Sequence, residues 1–88
     1  MPTYKAPLRD MQFLLNDVFN AGQLAKLPSY EEATLELMES ILEEGAKVCE
    51  EVLQPINQSG DEEGCKFNAG KVTTPKGFKE AYQMFTQG

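Results

Sequence analysis

A chain of 88 residues holds one domain at most and buries only about 60–70% of its unfolded surface, so its core must be small. Its 41% hydrophobic and 25% charged residues lie in the ordinary globular range and argue against disorder along the whole length. Eight Lys and Arg against fourteen Asp and Glu give a net charge of −6, which repels phosphate backbones and anionic membrane surfaces and argues against a nucleic-acid partner.

Residues 1–6 read as an extended arm. They lack the apolar stretch and small-residue cleavage site of a secretory signal, and the longest apolar run, Phe13-Leu14-Leu15, is far short of the roughly 20 residues that span a bilayer. A cytoplasmic location without a membrane span is the default expectation. Pro7 fits the first position of a helix, where its missing N–H costs nothing, and the pattern predicts helix one over 7–21. Leu8, Met11, Leu14, Leu15, Val18 and Phe19 share one arc, while Arg9, Asp10, Asn16 and Asp17 occupy the other; Gly22 is the expected stop. Phe13 points off that arc, which fits either a second contact surface or a partly exposed ring.

The stretch 20–28 lacks a sustained period and reads as a connection. Ser29-Tyr30-Glu31-Glu32 then has the Ser-x-x-Glu form in which hydroxyl and carboxylate satisfy free N–H groups at a helix start, placing helix two over 30–54. Leu37, Met38, Ile41, Leu42, Val48, Cys49, Val52 and Leu53 follow 3- and 4-residue spacings up to Pro55. With Leu35 and Ala46 the apolar arc covers close to half the circumference, wider than the ~100° stripe of a surface helix, so this helix is expected to pack on more structure than the chain provides.

Residues 57–74 are rich in Gly, Asn, Asp and Ser and read as a loop, with Lys66-Phe67 and Lys71-Val72 flanking Asn68-Ala69-Gly70 as a minimal hairpin. Thr74 offers an N-cap and Pro75 a first helical residue for helix three, 75–86, whose face comprises Phe78, Ala81, Tyr82, Met84 and Phe85. The expected class is therefore all-α, three helices with a loop or minimal hairpin between the second and third. A last helix whose apolar face still needs partners has the look of a truncation.

Chemistry is sparse. Glu32, Glu36, Glu39, Glu43, Glu44, Glu50 and Glu51, with Lys47, read as a solvated helix face carrying an i,i+4 pair at Glu43 and Lys47. Paired-carboxylate or di-metal work would need side chains directed inward and a His, and the chain has no His. The run from Asn57 to Gly64 imitates a calcium loop, but counting from Asn57 puts Glu62 at position six and Asn68 at position twelve, where Gly and Glu are required. No Gly-rich nucleotide motif occurs. Phe78, Tyr82 and Phe85 read as packing rather than base stacking, and Cys49 and Cys65 as free thiols outside any disulfide or zinc spacing. No residue is expected to be catalytic, cofactor-binding or metal-binding.

Two blocks carry a resemblance. Tyr4-Lys-Ala-Pro-Leu-Arg-Asp-Met11, within the arm and first helix, resembles the N-terminal extension of the larger bacterial acyl-CoA dehydrogenases. Ile41 to Asp61 resembles the next helix and its exit in the same family, and Val72 to Tyr82 continues the match, so the likeness spans essentially the whole chain. It implies a parent that oxidises an acyl-CoA thioester at the α,β bond with FAD, using a glutamate base and a flavin site in domains beyond these residues. No glutamate of this segment inherits that role. The implied role is structural, with the helices packed on the rest of the dehydrogenase chain and helping to wall the acyl pocket. The parent is implied to be a homo-oligomer that passes electrons to an electron-transfer flavoprotein. The segment alone is expected to be inactive. The reading from another class is a stand-alone helical protein-interaction module.

Overall fold

The computed structural model describes residues 3–88, which form helices and a single two-stranded hairpin, so the architecture is that of an all-α segment with a minimal β element. The first two residues of the predicted arm lie outside the described residues. Two compact units are present, Lys5–Lys47 and Val48–Gly88, the second including Thr3 and Tyr4 of the arm.

In the unit Lys5–Lys47, α1 (Leu8–Phe13) passes into a π-helical turn, Leu14–Val18, in which the Phe19 N–H reaches the Leu14 carbonyl at 2.9 Å. Helix one thus ends earlier than the predicted residue 21. Its stop is not Gly22 but Asn20, held in the left-handed region at φ 50°, a conformation Asn tolerates better than most side chains. Gly22 instead sits in the 3-10 turn Ala21–Lys26. There a Cβ would lie 3.3 Å from Leu35 Cγ, so the missing side chain lets this turn approach the start of the next helix.

That helix, α2 (Leu35–Lys47), begins five residues after the predicted start. Ser29 adopts φ 74°, not the extended geometry of an N-cap, and its N–H is bonded by Glu31 Oε1 at 3.2 Å, so the expected capping box does not form. Thr34 is the cap: its Oγ1 accepts the Leu37 N–H at 3.2 Å. The physical reason is that 30–34 contribute no apolar side chain to the stripe Leu35, Met38, Leu42 and Ala46, which is the stripe drawn in from solvent. α1 lies against α2 within this unit.

In the unit Val48–Gly88, a π-helical turn, Val48–Leu53, leads to the 3-10 turn Gln54–Ile56 and then to α3, Asn57–Glu63. Pro55 therefore does not open a loop. It occupies the start of a short turn, where a residue without an N–H is tolerated, and the chain re-enters a helix within two residues. The predicted loop over 57–74 is corrected accordingly across its first seven residues. Gln58 Nε2 donates to Glu62 Oε1 at 3.2 Å one turn on, and α3 ends at Gly64, φ 68°.

β1 (Lys66–Asn68) and β2 (Lys71–Thr73) pair antiparallel with Phe67 opposite Val72. Ala69 and Gly70 form the two-residue turn, both at positive φ, 53° and 80°, the sign required to match the strand twist. α4 spans Phe78–Gln87, starting three residues after the predicted Pro75, because Gly77 at φ 94° interrupts the right-handed path and serves as N-cap in place of Thr74.

Candidate docking faces

The two buried hydrophobic side chains among the described residues are alanines, Ala46 at 7% exposure and Ala81 at 4%; no large side chain is fully buried. Helix faces normally gain about 1.5–3 kcal/mol for each large aliphatic or aromatic residue fully removed from water, and here that gain is mostly unrealised. Each unit therefore presents apolar surface that lacks cover.

In Lys5–Lys47 the exposed large apolar residues include Phe13, Leu14, Val18 and Phe19 of the first helical stretch, Leu24, Leu27 and Tyr30 of the connection, and Leu37 and Ile41 of α2. On a helical wheel Leu37 and Ile41 form a second stripe beginning roughly 60° beyond Met38, the edge of the stripe Leu35, Met38, Leu42 and Ala46, so the apolar arc of α2 covers about half its circumference. Ile41 is 60% exposed. One neighbouring helix cannot cover both stripes.

In Val48–Gly88 the packing is organised by one contact. The Phe78 ring lies over α3 at Gly60, so close that a Cβ on Gly60 would fall 2.5 Å from ring atoms Cε1 and Cζ. Gly60 is buried by that ring. The Glu63 carboxylate, through both oxygens at 3.2 Å, accepts the backbone N–H of Lys76, joining the end of α3 to the approach of α4. Along α4 an open groove of about 360 Å³ is lined by Leu53, Ile56, Phe78, Ala81, Tyr82 and Phe85. A second open groove in this unit, about 500 Å³, is lined by Thr3, Tyr4, Cys49, Leu53, Gln54 and Asn57.

The glutamates do not converge on a centre. Glu32 lies in the turns before α2 and Glu36, Glu43 and Glu44 are exposed, with Lys47 Nζ donating to Glu44 Oε1 at 3.1 Å on the surface. Among the described residues no group of three His, Cys, Asp or Glu is placed to hold a metal ion. The run Asn57–Glu63, read against a calcium loop, is helical. Cys49 is half-buried and lines the larger groove; Cys65 is exposed. A flavin dinucleotide needs donors for its pyrophosphate, such as a Gly-rich turn at a helix start or cationic side chains. Neither groove is lined by Lys, Arg or Gly, so these residues do not by themselves fit FAD.

Sequence reasoning missed the Gly60–Phe78 contact and the Glu63 acceptor. Gly60 sits in a polar heptapeptide whose composition signals a turn, and nothing local marks a glycine that receives a ring from eighteen residues away. The spacing Pro55 to Gly64 was the available clue, since a helix of α3's length fits between them.

Over this geometry lies a clear set of relatives. The chain is 36% identical over 83 residues to 3-methylmercaptopropionyl-CoA dehydrogenase of Ruegeria pomeroyi, covering 94% of this chain and 14% of that protein. It is 32% identical over 83 residues to butyryl-CoA dehydrogenase of Syntrophomonas wolfei, covering 90% of this chain and again 14% of the relative. No protein-family model matches the chain. By these matches the chain is similar to acyl-CoA dehydrogenases, in keeping with an N-terminal segment, and it spans about one seventh of the length of the curated relatives it matches. None of the helices among the described residues is long and apolar enough to cross a membrane.

Proposed function

We propose that these residues are the N-terminal structural segment of an FAD-dependent enzyme that oxidises acyl-CoA thioesters at the α,β bond. The observation that carries the reading is the match along 94% of the chain to a protein named for oxidising a CoA thioester. The uncovered faces of α1, α2 and α4 support it, because they supply packing surface and no reacting group. In this reading FAD supplies the hydride acceptor and is held, with the base, by residues beyond this segment. The segment's own task is to stabilise the helical wall around the acyl chain, and alone it does not turn over acyl-CoA. The parent enzyme is cytoplasmic, homo-oligomeric and delivers electrons to an electron-transfer flavoprotein, and it serves fatty-acid-type metabolism.

The test is the intact mass and absorbance spectrum of the native protein bearing this sequence, with acyl-CoA oxidation assayed on the same sample and on the isolated 88-residue chain. A chain several times longer, yellow with bound flavin and active only at full length, supports the proposal. A colourless protein of this length would reject it in favour of a stand-alone interaction module whose α4 groove takes a partner helix.

A further inference from the structure

We draw no further inference here: the strongest candidate, the open apolar groove along α4 lined by Leu53, Ile56, Phe78, Ala81, Tyr82 and Phe85, carries none because nothing in the structure shows what covers it.

Discussion

The two units reach their shapes by different means. In Lys5–Lys47 the turning points are set locally: Asn20 in a left-handed conformation, and Thr34 capping α2 through the Leu37 N–H. In Val48–Gly88 they are set by distant pairs, the Phe78 ring on Gly60 and the Glu63 carboxylate on the Lys76 N–H. Local devices withstand loss of tertiary context; paired ones fail together. Substitutions in the second unit should therefore cost more and couple more strongly.

The largest effect is expected at Gly60. In an open helix, Gly→Ala stabilises by about 1 kcal/mol, but here the new Cβ meets ring carbons at 2.5 Å, and overpacking of about 1–3 kcal/mol wins. Gly60→Ala should lower the denaturation midpoint of the full-length protein, and the same change in a Phe78→Ala background should cost much less. Equal costs in the two backgrounds would break the claim that distant pairing organises this unit.

Next comes the cap of α2. Thr34→Ala should cost about 1 kcal/mol, whereas Ser29→Ala should change stability by less than about 0.5 kcal/mol, because Ser29 at φ 74° caps nothing. Helix content by circular dichroism across both variants sharpens the comparison. A larger loss at Ser29 would restore the capping box that the sequence pattern favours.

How far the sequence could be read follows from these two cases. The class, the existence of three main helical stretches, the hairpin at Asn68-Ala69-Gly70 and the surplus of apolar face were legible, since each depends on periodicity or turn chemistry within a few residues. Helix ends were less so. Ser29 and Thr34 both qualify as caps by residue type, and only the position of the inward stripe from Leu35 to Ala46 decides between them. Asn57–Glu63 reads as loop because it is polar and holds a glycine; in the fold that glycine is where the helix receives the Phe78 ring of α4. The docking faces were legible as unfilled arcs, but Glu63's bond to Lys76, thirteen residues away, has no local signature.

Smaller effects should be found at the hairpin. Ala69 holds φ 53°, a conformation that costs residues with a Cβ about 1 kcal/mol, so Ala69→Asn should stabilise the turn by less than that. Cross-strand amide protection measured by nuclear magnetic resonance should rise. The smallest effect is expected for Glu63→Gln, which keeps the acceptor and loses only the charge, about 0.5 kcal/mol or less at this exposed site. Coupling of that variant to Gly60→Ala would show whether the two distant pairs act as one unit.

The measurement that tests the central claim most directly is binding of an apolar fluorescent dye to the isolated 88-residue chain and to the full-length protein, with hydrogen exchange followed on the same residues. Strong dye binding and fast exchange in α1, α2 and α4 for the isolated chain, both suppressed at full length, are what the proposed role as a segment of a larger enzyme predicts. A monomeric isolated chain that binds no dye and is already protected throughout would contradict that account.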